Sequence, residues 1–297
     1  MTTKHTRQLK DLLAARKGAV MPGAANALTA RIIAEQGFDA VYVTGAGIAN
    51  THLGLPDIGL VSLKEVVDHV SVMRDVIDLP MLVDGDTGFG NAVNVVRTVE
   101  QLERAGASGI QLEDQVFPKK CGHFSGKAVI TADEMVQKIK AAADSRRDGD
   151  FQIIARTDAR AILGLEEALD RAHRFIEAGA DATFVEAPTS AEELARIAGE
   201  LPVPQIANMV FGGKTPLLNQ AELEKLGFGG VLYANAALQV SVRAIADMLG
   251  VLRDTGSLES IADRVASFDE RQRLVDKEKY DALERRYAVT STDGADT

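Results

Sequence analysis

The sequence predicts a (β/α)8 barrel, and three observations carry that prediction. Eight short apolar, β-rich runs recur along the chain: GAVMPGA, AVYVTGAG, PMLVDGD, GIQLED, QIIARTD, ATFVEA, PQIANM and GVLYAN. Longer segments such as NAVNVVRTVEQLERAGA and GLEEALDRAHRFIEAGA separate them, with apolar residues at helical three- and four-residue intervals. The runs are apolar throughout rather than alternating, as parallel strands covered on both faces should be.

Taken in order, each run ends in small or polar residues and hands over to a helical segment. Several helical segments close on AGA or QGF, where a glycine past the last turn serves as the C-terminal cap. An open doubly wound sheet is the competing architecture. It has fewer strands and opens with a glycine-rich phosphate turn, whereas MPGAAN after the first run is no GxGxxG. Eight strand–helix pairs over about 250 residues fit the barrel. No low-complexity linker divides the chain, so residues 1–297 read as one domain. The barrel spans about 15–240, C-terminal helices about 241–287, and a loose tail 288–297. The charged stretch SFDERQRLVDKEKYDALERRY reads as a solvated helix face, on helices that pack against the barrel or another subunit.

Composition narrows the function. With 46% hydrophobic residues, 297 residues can build a large core. A net charge of -10 argues against a nucleic-acid partner, whose phosphates would be repelled. No apolar run approaches the roughly 20 residues of a membrane span. A single cysteine excludes an intramolecular disulfide and fits a reducing compartment. The start, MTTKHTRQLKDLLAARKG, is basic and amphipathic but lacks the apolar stretch of a secretory signal. A mitochondrial presequence would suit its charge, yet AVMPGA follows so closely that little is left to cleave. The reading is cytoplasmic.

Barrel chemistry sits at the C-terminal ends of the strands. Those ends carry Thr44 to Gly47 with Tyr42 just inside, then Asp84 and Asp86, Glu113 and Asp114, Arg156 and Asp158, Glu186, and Asn208. Asp158 reads as structural, capping a helix or pairing with an arginine. Several carboxylates on one rim repel unless a cation neutralises them. No histidine or cysteine cluster with zinc spacing exists, so oxygen ligation points to Mg²⁺ or Mn²⁺. Asp84, Asp86 and Glu113 are the leading ligands, and because Mg²⁺ keeps several waters only one of them is expected in direct contact. Asp57, in LGLPDIG, either joins through water or is a turn aspartate after proline. Arg156, Asn208 and free backbone N–H groups at Gly45 to Gly47 would bind carboxylate or phosphoryl oxygens.

The only cysteine, Cys121, sits in PKKCGHFSGK between Lys119, Lys120 and His123, surroundings that favour thiolate. Pro118, Gly122 and Gly126 mark a loop. Three readings are open from these residues: a catalytic acid or base on a lid, a redox sensor, or no role.

KKCGH, extended as EDQVFPKKCGHFSGK, together with LGLPDIG, LVDGDTGFGN and IIARTDA in that order, resembles the isocitrate lyase and phosphoenolpyruvate mutase superfamily over about residues 8–285. The resemblance implies a Mg²⁺-bound barrel, a homotetramer, and a C-terminal helix exchanged between paired subunits. It implies direct Mg²⁺ contact by Asp84, with Asp57, Asp86 and Glu113 acting mainly through water. Thr44, Gly45 and Ala46 would hold the carboxylate of a 2-oxo acid, and Tyr42 would lie near the bond being cleaved, where it or a metal-bound water would take the hydroxyl proton. Cys121 would protonate the departing carbanion, Lys119, Gly122 and His123 would belong to the closed lid, and Arg156, Glu186 and Asn208 would line the pocket. The implied activity is retro-aldol cleavage of a small 2-hydroxy dicarboxylate, a 2-alkylmalate or a methylisocitrate-like acid, to a 2-oxo acid and a second carboxylate. Phosphonate chemistry or oxaloacetate decarboxylation at the same site is the alternative, and a non-catalytic metal-binding barrel the third. TGAG stands where the family has SGG, and Val210 and Phe211 follow the asparagine where methylisocitrate lyases tend to have threonine and glutamate. These departures predict a smaller, more apolar pocket.

Overall fold

The structure, a computed structural model, describes residues 3–120 and 126–289. Eight parallel strands form the barrel: β1 Ala19–Ala24, β2 Val41–Val43, β3 Met81–Asp84, β4 Gly109–Glu113, β5 Gln152–Thr157, β6 Ala182–Val185, β7 Ile206–Asn208 and β8 Gly230–Tyr233. They run in the order β6-β5-β4-β3-β2-β1-β8-β7. The last seam, between β6 and β7, is closed at Thr183: its N–H donates to the Pro204 carbonyl at 3.1 Å and its hydroxyl to Gln205 Oε1 at 2.8 Å. The expected (β/α)8 architecture is the one observed.

Alternation along each strand sorts the core into two layers. Met21, Tyr42, Leu82, Ile154, Phe184, Ile206 and Leu232 form one buried cluster inside the barrel. Val41, Val43, Met81, Val83, Ile110, Leu112, Ile153 and Ala155 belong to another, packed under the surrounding helices. Both layers are apolar, which is why the runs show no alternation in sequence. Gly23 faces inward beside β8, where a Cβ would lie 1.8 Å from the Ala234 carbonyl oxygen; only glycine lets the two backbones approach so closely.

The basic N-terminal segment is a helix, Lys4–Ala14, that plugs the barrel floor. Leu9 and Leu13 are fully buried in the interior cluster, against Gly109 and Gly230 at the starts of β4 and β8. Each contributes roughly 1.5–3 kcal/mol by leaving water. Lys10 and Arg7 pair with Asp150 at 2.6 and 2.9 Å, which uses the positive charge of the segment within the fold. The helices Ala27–Glu35, Ala92–Arg104 and Leu165–Glu177, capped at Gln36, Ala105 and Ala178, are each followed by a glycine at positive φ, Gly37, Gly106 and Gly179, as the AGA and QGF endings predict.

The described residues form two compact units that divide between Val242 and Arg243. The second contains the end of the helix Ala236–Thr255, a 3-10 turn Glu259–Arg264, and helices Phe268–Leu274 and Lys277–Tyr287. The charged helices are exposed, as the solvated-face reading has it. Among the described residues no helix is long and apolar enough to cross a membrane.

Candidate active site

Strand alternation aims the site. Counting upward from the interior residues Tyr42, Leu82, Ile154, Phe184, Ile206 and Leu232, every second residue faces inward, and the next are Thr44, Asp84, Arg156, Glu186, Asn208 and Ala234. On β4, where Ile110 and Leu112 face the helices, Gln111 and Glu113 face in. Tyr42, Thr44, Asp84, Glu113, Arg156, Glu186, Asn208 and Ala46 all line a cavity of about 70 Å³ at the barrel mouth. Asp57 and Lys119 reach it from loops. Phe184, Asn235, Val210 and Lys120 also line it.

The opposite parity sends Asp114 outward. It accepts hydrogen bonds from Thr157 Oγ1 at 2.7 Å and the Asp158 N–H at 2.9 Å, and pairs with Arg171 at 3.1 Å. Asp158 is the structural carboxylate the sequence suggests, bound by Arg156 Nε at 3.0 Å and Lys127 Nζ at 2.5 Å. Burial works against its ionisation, but Arg156 and Lys127 outweigh burial and hold the carboxyl below its usual range.

Arg156 is the hub of the mouth. Its guanidinium lies 3.4 Å from Glu113, 3.6 Å from Glu186 and 5.2 Å from the centre of the Phe184 ring. Burial would lower its pKa, yet Asp158, Glu186 and Glu113 together raise it, so it is a permanent cation. Lys119, only 4% exposed, bridges Asp57 and Asp86, the latter at 2.8 Å. Burial opposes its charge also, and four carboxylates (Asp86, Glu113, Asp84 and Asp57) overcome it.

The acids are less well served. Burial pushes Asp86 up to about 7 despite Lys119, with Asp84 and Asp57 adding to the effect. Burial likewise raises Glu113 well above its usual range, and Arg156 offsets this only in part. Glu113 Oε1 and Asn208 Oδ1 are buried without a hydrogen-bond partner. Six carboxylates (Asp57, Asp84, Asp86, Glu113, Asp158, Glu186) thus face four cations (Lys119, Lys120, Lys127, Arg156). The remaining negative charge suits a divalent cation with oxygen ligands. Among the described residues no three acidic, histidine or cysteine side chains converge closely enough to form a complete ligand set. A Mg²⁺ ion that keeps several waters needs no such set.

Tyr42 is buried, and its hydroxyl accepts from Gln111 Nε2 at 3.1 Å. Burial, then the charge of Asp84, raises its pKa well above the ordinary value, so it stands as a phenol. At Gly45 a Cβ would come within 3.2 Å of Asp84 Oδ2, and the Gly45 N–H donates to that oxygen at 3.4 Å. The Gly47 N–H donates to Thr44 Oγ1 at 3.1 Å, closing the first turn of the helix Gly45–Ile48. The Gly47 N–H is therefore not free for a substrate, contrary to the sequence reading, because its own turn consumes it, while the Gly45 N–H faces Asp84 across the mouth. Phe211 is a second correction: it is 58% exposed and does not line the cavity, whereas Val210 does. Cys121, Gly122 and His123 lie outside the described residues.

The family profile described as phosphoenolpyruvate phosphomutase matches residues 9–252. The chain belongs to the phosphoenolpyruvate mutase/isocitrate lyase superfamily. It is 46% identical to 2,3-dimethylmalate lyase of Eubacterium barkeri over 95% of this chain and 98% of that one. It is 42% identical to the chloroplastic carboxyvinyl-carboxyphosphonate phosphorylmutase of Arabidopsis thaliana, over 91% and 80%. Among solved structures, a 2,3-dimethylmalate lyase superposes with a TM-score of 0.91 at 31% identity, covering 100% of both chains. Oxaloacetate acetylhydrolase with 3,3-difluorooxalacetate gives 0.90 at 33%, over 97% and 98%. Phosphonopyruvate hydrolase in complex with oxalate and Mg²⁺ gives 0.86 at 30%, over 97% and 99%.

Sequence reasoning missed Gln111, Phe184 and Asn235. Asn235 follows β8 in GVLYAN and was within reach of the strand-end rule. Gln111 and Phe184 are interior strand residues, visible only once parity is known.

Proposed function

We propose that this enzyme is a Mg²⁺-dependent carbon–carbon lyase that cleaves a small 2-hydroxy dicarboxylate to a 2-oxo acid, such as pyruvate, and a second carboxylate. The observation that carries the reading is the excess of buried carboxylate at the mouth, with a lid lysine anchored on two of the acids. When bound, Mg²⁺ would neutralise a chelating 2-hydroxy acid and favour loss of its hydroxyl proton. Asp84, Asp86, Glu113 and Asp57 would hold it, directly or through water.

Arg156 and Asn208 offer a cation and an amide to the substrate carboxylates, and Thr44 and Ala46 bound the space around the 2-oxo acid. Tyr42, held as a phenol by its burial, donates a hydrogen bond to the oxygen that becomes the 2-oxo group. The hydroxyl proton passes to a carboxylate of the mouth, for which Glu113 is placed. The C2–O bond becomes the 2-oxo double bond as the C2–C3 bond breaks, the C2–C3 electrons pass to C3, and Cys121 gives that carbon a proton. Lys119 and Lys120 border the mouth, and the segment that bears them acts as the lid that opens for entry and closes for reaction.

The exposed apolar residues Ile245, Leu249 and Leu252, spaced four and three apart on one helix, support a homotetramer with exchanged C-terminal helices. Cytoplasmic location completes the reading. The test is pyruvate release, with Mg²⁺ and with EDTA, from 2,3-dimethylmalate, 2-methylisocitrate, oxaloacetate and carboxyphosphonoenolpyruvate in parallel. Metal-dependent release from a hydroxy acid is the expected result. Activity on oxaloacetate or the phosphonate alone would replace the lyase by the second reading, which the likeness to oxaloacetate acetylhydrolase and phosphonopyruvate hydrolase favours. In the lyase, Cys121→Ser should keep Mg²⁺ and oxalate binding while turnover falls by about 10²-fold or more; unchanged turnover would remove the acid role.

A further inference from the structure

A second cavity, of about 630 Å³, lies outside the barrel mouth, and none of the residues assigned to the reaction lines it. Its volume is within the range of small-molecule sites. Leu60, Phe89, Phe117 and Ile130 give it apolar walls. Lys138 and Thr87 also line it, joined by a hydrogen bond from Lys138 Nζ to the Thr87 carbonyl at 3.0 Å.

Lys138 is 4% exposed, and that carbonyl is the partner its ammonium finds. A buried ammonium with no paired carboxylate is a costly arrangement. Burial accordingly lowers its pKa, and Glu134, one turn earlier on the same helix, opposes this without forming an ion pair. Arg97 adds a second cation to the lining and makes no ion pair among the described residues. Two cations against the single carboxylate of Glu134 leave the cavity one positive charge in excess. That balance fits a monoanion, and the walls fit an apolar body.

We propose that this cavity is a second binding site, for a small monocarboxylic acid with an apolar chain. The carboxylate meets Lys138 and Arg97, and the chain lies along Leu60, Phe89 and Phe117. This site stands independently of the reaction assigned to the barrel mouth. It shares walls with that mouth, however: Thr87 follows Asp86 directly, and Gln115, also in the lining, accepts from the Lys120 N–H at 2.9 Å.

The experiment is calorimetric titration of the full-length protein with octanoate, with 1-octanol, and with octanoate in the presence of saturating oxalate. One saturable octanoate site is expected, unchanged by oxalate, with octanol at least tenfold weaker. Lys138→Met should weaken octanoate at least tenfold. Arg97→Gln, on an exposed side chain that leaves the core intact, should weaken it severalfold and keeps the test decisive if the lysine variant does not fold. Absence of saturable binding would overturn the proposal. So would displacement by oxalate, equal binding of octanol, indifference to both substitutions, or octanoate binding only to a dissociated form of the protein.

Discussion

At the residue scale, the mouth is governed by how burial and paired charge compete. Arg156 is 8% exposed and touches Glu113, Asp158 and Glu186, so its removal takes a cation from three buried carboxylates. Arg156→Met should destabilise the protein by about 3–5 kcal/mol, read from urea unfolding, besides weakening substrate binding. Asp86 carries a pH dependence. Burial raises its folded pKa to about 7, above the ~3.9 of an exposed aspartate, so folding favours the protonated form. Its stability contribution is full below about pH 4 and is lost as pH rises through about 7. In EDTA, the urea midpoint should therefore fall between pH 5.5 and pH 8. Asp86→Asn should flatten that fall, and added Mg²⁺ should offset it. A midpoint that rises over the same interval in EDTA would contradict the assignment.

At the element scale, one feature that attracts little notice in sequence holds the barrel. The helix Lys4–Ala14 seals the floor with Leu9 and Leu13, both fully buried. Leu13→Ala should cost about 2–5 kcal/mol, because the strand ends around it cannot collapse into the space. Unfolding midpoints for Leu13→Ala and the exposed Leu28→Ala, compared side by side, would measure this. The same floor explains why a basic, amphipathic start is part of the fold: its polar face pairs with Asp150, and its apolar face enters the barrel.

At the scale of the whole molecule, the second unit exposes apolar residues that a solitary chain gains nothing by exposing. Ile245 and Leu249 are 54% and 52% exposed. If exchanged helices cover them, the double substitution Ile245→Glu and Leu249→Glu should reduce the tetramer to smaller species in sedimentation velocity, with barrel circular dichroism retained. An unchanged sedimentation coefficient would remove these residues from any interface.

The eight strands, the polar residues at their ends and the glycine caps were legible in the sequence because each depends on local chemistry. An apolar run of strand length, a carboxylate at its end and a glycine after a helix declare themselves within a few neighbours. Three things depended on tertiary structure. Barrel closure fixed strand parity, which sends Glu113 into the mouth and its neighbour Asp114 out to Arg171. Packing turned the Gly45 N–H toward Asp84 of β3 and set Val210, rather than Phe211, at the cavity. Folding also brought Lys119 to Asp57 across 62 residues of chain. Residue type and local spacing identify which groups can do chemistry; which of them meet is decided by long-range packing and by the desolvation that follows from it.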